Sequence, residues 1–356
     1  MADGRMKMKK ALALALAFLT AINLAACGSW AKPGRHPQQE SFETVSLKVG
    51  YMPNIGSASL AVTAKEMGYF EEMGLDVKLV EYETGPQEIE AMEKGELDIC
   101  QIGPGAHSLC IEGRAKVFYL DNISLADAVI ANKEKGIETA AQLKGKRVAC
   151  SPGTTTEIIL ELALETANLS LADVVLVPMN VSEMPAAMAD GSVDACAAWS
   201  PQTIEIRKLL EQNAVTIANN NDFVNQVTFP ASFAAGEGFC DQNKDVLVRF
   251  SRALLKGQNY RAANIRKVAR MVAEQCDLEP QVVLDTIGRG EWLTGEFMIN
   301  GLADGTVKSY YQNQQSVFID TGILKKAVPV SNYVRLDIME AAAAAAVDGF
   351  KTKENQ

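Results

Sequence analysis

Thr154-Thr155-Thr156-Glu157 is the segment of this chain best suited to chemistry. Thr154 as a helix cap and Glu157 three residues on have the spacing of a capping box, preceded by Gly153. A helix starting there, at a strand tip, offers free N–H groups and the positive end of a dipole. Thr154, Thr155 and Thr156 add three hydroxyls, so an anionic head such as sulfonate, nitrate or carboxylate could be held without a full cation. Tyr51, Pro53 and Asn54 stand at an earlier strand tip, expected to face Thr154 across a cleft. Gly103-Pro104-Gly105 keeps the backbone open to close approach, His107 opens the next helix, and Trp199 offers a flat apolar wall with one N–H donor. Each also has a plainer reading: the threonines cap a helix, Tyr51 and Trp199 fill a core, and His107 packs or caps.

Nothing assembles into an active site. The chain has two histidines, His36 and His107, and no nucleophile elbow, phosphate-binding glycine loop or zinc spacing. The residues point to binding, with no cofactor and no metal.

The elements that must position these residues repeat. Ala91-Met92-Glu93-Lys94-Gly95-Glu96-Leu97-Asp98 recurs 96 positions later as Ala187-Met188-Ala189-Asp190-Gly191-Ser192-Val193-Asp194. Each copy reads as the last turn of a helix, a glycine in the left-handed cap, and a short buried strand. The strands run into Gly103-Pro104-Gly105 and into Trp199-Ser200-Pro201. Alternating strands and helices in both halves predict an α/β architecture of two lobes, each a mostly parallel sheet flanked by helices. Lobe one is expected over residues 45–128 and lobe two over 129–234, with a return to lobe one through C-terminal helices over 235–350 and a tail at 351–356. The alanine run Ala341–Ala346 reads as a terminal helix.

Residues 1–26 read as a signal segment, with Arg5, Lys7, Lys9 and Lys10 ahead of an apolar run too short to span a bilayer. Leu24-Ala25-Ala26-Cys27 resembles a bacterial lipobox, which makes Cys27 the lipid-bearing residue and 27–44 a tether. Several acyl chains would anchor stably, each buried methylene adding roughly 0.8 kcal/mol. Residues 1–26 hold four cations and one anion, so the remainder has 30 Lys+Arg against 43 Asp+Glu, a net of −13. So acidic a body argues against nucleic acid. Export permits disulfides. Cys100, Cys150 and Cys196, however, lie in apolar strand runs, where a free thiol behaves as a small hydrophobe, and all six remaining thiols are expected free.

Gly50-Tyr51-Met52-Pro53, Ala64-Lys65-Glu66-Met67-Gly68-Tyr69-Phe70, Gly74-Leu75-Asp76-Val77, Gly95-Glu96-Leu97-Asp98, Leu143-Lys144-Gly145-Lys146-Arg147-Val148 and Trp199-Ser200-Pro201 fall in order along the chain. As a set they resemble the substrate-binding proteins of ATP-binding-cassette (ABC) importers for alkanesulfonate, taurine and nitrate, over about residues 46–330. Thiamine-precursor binding proteins share these motifs. The resemblance implies a type II periplasmic-binding-protein fold, two lobes joined by two crossover segments and closing on a ligand by a hinge. It further implies an extracytoplasmic, lipid-anchored monomer that delivers a small, anionic solute to a permease and its ATPase. Its site would comprise Tyr51 to Asn54, Gly103 to Ser108, Thr154 to Thr156 and Trp199. A precursor pyrimidine is the alternative ligand, and a sensory lipoprotein or a pyrimidine-synthesising enzyme are further readings. The chain departs from the family's pattern in Gly103-Pro104-Gly105-Ala106-His107, where many relatives have Gly-Asp or a similar polar pair, and in Ser200-Pro201-Gln202, where an acidic residue and an aromatic flanking the proline are commoner.

Overall fold

The repeated motif explains itself once its aspartates are followed. Gly95 and Gly191 both take the left-handed backbone (φ 76° and 75°), ending helices Gly85–Glu93 and Met184–Asp190. A side chain there would be strained, so the pattern needs glycine. Three residues on, the Asp98 carboxylate accepts from the Lys48 backbone N–H at 2.8 Å and the Asp194 carboxylate from that of Arg147 at 2.9 Å. The Asp98 and Asp194 N–H groups in turn donate to the Lys48 and Arg147 carbonyls. Each copy therefore fastens a new strand beside the one that carries Lys48 or Arg147.

The computed structural model describes residues 42–354, with side chains through 346. The signal segment, Cys27 and most of the tether lie outside the described residues, as does the end of the tail. Strands β1 (Val45–Tyr51), β2 (Leu75–Glu81), β3 (Ile99–Ile102), β4 (Lys116–Ser124), β10 (Pro230–Ala235) and β11 (Gly290–Glu291) form one sheet, in the order β11-β4-β10-β3-β1-β2. Strands β5 (Asp127–Asn132), β6 (Arg147–Cys150), β7 (Val175–Pro178), β8 (Ala195–Trp199) and β9 (Ala214–Asn219) form the other, in the order β7-β6-β8-β5-β9. Within each sheet the strand–helix–strand units pair parallel: β1 with β2 and β3, β6 with β7 and β8. The strands next to the crossings, β4, β5, β9 and β10, pair antiparallel.

Two boundaries differ from expectation. The chain crosses between Ser124 and Asp127, two residues earlier than the 129 start predicted for lobe two. It returns between Asn219 and Pro230, because β10 inserts between β3 and β4 of the first sheet. The 230–234 stretch assigned to lobe two therefore belongs to lobe one. Its signal was the apolar run Pro230–Ala235, short enough for a buried strand.

The C-terminal helices mostly cover the first sheet. Phe250, Leu254, Ile338 and Met339 join the core around Val49, Ile99 and Phe118. Helix Thr306–Asp320 does not stay there. Its Val307 and Tyr311 lie in the first core, and its Val317 and Phe318 in the second, against Ile159 and Phe229. It thus spans both lobes beside the crossovers. The six described cysteines are free and buried, and no described helix is long and apolar enough to cross a membrane.

One ion pair lies wholly inside lobe one. Asp121 and Arg261 meet at 2.5 Å with both side chains fully buried, and Arg261 also donates to Ser59 Oγ and to the Asp121 carbonyl. Trp292 lies over the guanidinium, 5.2 Å from centroid to Cζ. Removing one partner strands a charge in low dielectric. Asp121→Ala is expected to lower unfolding free energy by about 3–5 kcal/mol in urea titrations, well beyond the cost of a surface substitution.

Candidate solute-binding site

Strand tips and helix starts from both sheets line one cavity of about 60 Å³ at the crossovers. Of the residues singled out from sequence, Asn54, Gly103, Pro104, Gly105, Thr154, Thr155 and Trp199 lie in its wall. Tyr51, Pro53, His107 and Thr156 do not.

The four departures have physical causes. Tyr51 turns into an apolar cluster with Ile55, Val62 and Val268, where its hydroxyl meets Glu81 and Gln275. Pro53 only leads into the Asn54 cap, whose Oδ1 accepts from the Ser57 N–H at 3.0 Å. His107 is fully buried, edge-on to Tyr311, and burial pushes its imidazole down to about 4. Its Nδ1 donates to Gln314 Oε1 at 2.7 Å, and Gln314 Nε2 donates to the Pro104 carbonyl, so the ring props the loop from behind. Thr156 is spent on the turn: its hydroxyl accepts from the Ser151 N–H and contacts Thr154 Oγ and Cys150 Sγ.

Helix Thr155–Glu165 starts at the cavity, but its cap differs from a capping box. Thr154 Oγ accepts from the Thr156 N–H, while Glu157 folds back onto the Gly153 N–H at 2.8 Å. Thr154 donates its own proton to the Ser151 carbonyl. Thr155 Oγ accepts from the Gly105 N–H, which leaves the Thr155 hydroxyl proton as a donor on this wall.

Gly105 brings the two lobes together. A Cβ on it would fall 2.1 Å from the Thr154 carbonyl carbon and 2.4 Å from the Thr155 nitrogen. Backbone rests on backbone across the cleft, so the atoms in the way cannot swing aside. Further out, Pro86 approaches Gly153, and Ser182 Oγ donates to Glu83 at 3.4 Å. This is a closed arrangement.

Sequence reasoning missed the polar wall contributed by Gln101, Asn122, Ser124 and Asp127, together with Ser57. The available signal was polar residues placed inside apolar strand runs, since burying them costs free energy unless they are partnered or used. Gln101 Nε2 donates to Asp121 at 2.8 Å, and Asn122 Nδ2 donates to the Gly56 carbonyl at 2.8 Å. Both partners only accept, so each amide is fixed with its oxygen at the other end. Gln101 Oε1 and Asn122 Oδ1 have no hydrogen-bond partner.

Asp127 is the one charged residue among those lining the cavity. Its carboxylate meets Asn220 Nδ2 at 3.1 Å and Ser124 Oγ at 3.3 Å, and Asn220 Oδ1 accepts from its backbone N–H. Burial nonetheless outweighs these bonds and pushes its acid up to about 6.

Two predictions follow from this geometry. Gly105→Ala should hold the cleft open: solute affinity falls at least tenfold by calorimetry, while the unfolding midpoint barely moves, because the two lobe cores are untouched. Asp127 carries a raised acid, so the folded state binds that proton more tightly than the unfolded chain. Its stabilising contribution is complete below about pH 4 and lost as pH rises through about 6. Asp127→Asn removes that loss. In the absence of solute the variant should gain on the wild type by up to about 3 kcal/mol between pH 4 and 7, and the gap should close again in acid.

The chain matches other proteins over nearly its whole length. A candidate binding protein of Brucella abortus is 28% identical over 331 residues, covering 93% of this chain and 98% of that one. A candidate aliphatic sulfonates-binding protein of Bacillus subtilis is 27% identical, with 90% and 92% covered. Among solved structures, the alkanesulfonate-binding protein of Xanthomonas axonopodis pv. citri bound to MOPS superposes with a TM-score of 0.62 at 21% identity, covering 83% of this chain and 99% of that one. The fold is thus that of periplasmic binding proteins. It is shared with a desulfurization enzyme, at a TM-score of 0.61 and 14% identity, over 85% of this chain and 99% of the enzyme. The family model described as NMT1/THI5 like matches residues 57–266, more than half of the sequence, and the chain belongs to that family.

Proposed function

We propose that this protein is the solute-binding component of an ABC importer, working outside the cytoplasm and anchored to the membrane through lipid on Cys27. The observation that carries the reading is the cavity lined from both sheets and closed by Gly105 against Thr154 and Thr155. A solute bound there touches both lobes, so it favours the closed form by the difference in its affinity for the two forms. The closed form is the one a permease would recognise. In this reading the protein captures and releases its solute without chemistry, as the names of its Brucella and Bacillus relatives, both binding proteins, support.

The solute is a small organic anion of the sulfonate kind. The Thr155 hydroxyl and the start of helix Thr155–Glu165 offer its head a donor and a favourable dipole. The Bacillus relative's name supports this class, and a cavity of about 60 Å³ suits a small solute. A second reading, a precursor pyrimidine or similar aromatic amine, draws on Gln101 Oε1 and Asn122 Oδ1, acceptors that match amino groups.

Thermal shift across ethanesulfonate, taurine, nitrate and an aminopyrimidine separates the two. A rise in midpoint with a sulfonate is expected, and Thr155→Ala should weaken that binding about five- to tenfold, the worth of one hydrogen bond. A shift from the pyrimidine alone, with none from any anion, would transfer the assignment to the second reading.

A further inference from the structure

We propose that Asp127 and Trp199 form a subsite for a protonated nitrogen, so that the captured solute carries an ammonium or comparable N–H cation. This rests on the solute-binding reading and adds to it a second recognition element beside the helix start at Thr155.

The two residues are cross-strand partners: Asp127 of β5 lies opposite Trp199 of β8 in the antiparallel register. Directly opposed residues leave the same face of a sheet a few ångströms apart. Both line the cavity. A carboxylate beside an indole is a pairing for organic cations, since one supplies charge and the other the negative face of a ring. An anion placed there would meet a like charge instead.

The rest of the wall agrees. None of the residues lining the cavity is Lys, Arg or His, so no side-chain cation competes for Asp127 or awaits an anion. Gln101 Nε2 and Asn122 Nδ2 both reach the Gly56 carbonyl, at 3.4 and 2.8 Å, which sets the two amides side by side. Their nitrogens are held by acceptors that cannot donate, so rotating either amide would set two acceptors against each other. Their two oxygens stay unpartnered. Two amide oxygens therefore lack a donor, and the Asp127 carboxylate is met by two neutral donors, Asn220 Nδ2 and Ser124 Oγ, and by no cation among the lining residues. Buried acceptors without partners are costly in a folded protein, and these two belong to side chains in the cavity wall.

A solute bearing both groups satisfies both walls: its anionic head lies toward the helix start and its ammonium toward Asp127. Selectivity for the nitrogen then comes from the acceptor corner, because a solute lacking it leaves two amide oxygens without a donor and the Asp127 charge without a cation on closure.

The test is a calorimetric panel of matched solutes, each presented with and without its amino group: taurine against ethanesulfonate, β-alanine against propionate, and ethylamine as the amine without an anionic head. Binding confined to the amino-bearing members is expected, with Asp127→Asn losing at least tenfold in affinity while its unfolding midpoint is retained or raised. Thr155→Ala should weaken taurine more than ethylamine. Equal binding of ethanesulfonate and taurine, or an Asp127→Asn variant that binds taurine as the wild type does, overturns the cation subsite and leaves the solute receptor standing. No binding by any member overturns both.

Discussion

Closure at Gly105 is the contact on which the site depends. The Gly-Pro-Gly turn of lobe one lies directly on the first residues of helix Thr155–Glu165 in lobe two, and only a residue without Cβ fits. Side chains across a cleft can adjust to a mismatch. Main chain against main chain cannot, so the meeting distance of the lobes is set there. The cavity volume follows from that distance, and so does the removal of water from Asp127 and the amide oxygens. His107 and Gln314 support the turn from behind, holding the Pro104 carbonyl in place from a helix that itself reaches both lobe cores.

Behind the cavity a buried relay orients the acceptors. Arg261 holds Asp121, Asp121 holds the Gln101 amide nitrogen, and the Gln101 oxygen is left over. The Gln101 backbone N–H is meanwhile taken by the buried Glu88 carboxylate at 2.9 Å. A buried ion pair is a poor way to gain stability over an apolar core. As a means of aiming an amide it has a use, because an acceptor-only partner admits one orientation. Asp127 shows the same bias toward function. Burial raises its acid to about 6, a cost the folded chain carries without any benefit to the apo protein.

Much of the architecture was legible in the residues. The duplicated Gly-x-[Leu/Val]-Asp motif announced two similar lobes, since a left-handed glycine and a strand-fastening aspartate are needed once per sheet. Thr154, Thr155, Gly105 and Trp199 could be placed near a cleft because strand tips in an α/β sheet gather at one edge. Tyr51 and His107 could not be judged, because whether an aromatic or an imidazole faces core or cleft depends on residues more than two hundred positions away, Gln275 and Gln314.

What the amino-acid order determined by itself is therefore local and periodic: strand, cap, turn and repeat, each governed by neighbours within a few positions. The tertiary structure decided the rest. It placed β10 in the first sheet, paired Asp127 with Trp199, stacked Gly105 on Thr154, and left two amide oxygens unpartnered. These depend on which distant strands pair and in what register. A one-residue slip in register would turn every side chain to the opposite face, and no short-range rule in the sequence sets it.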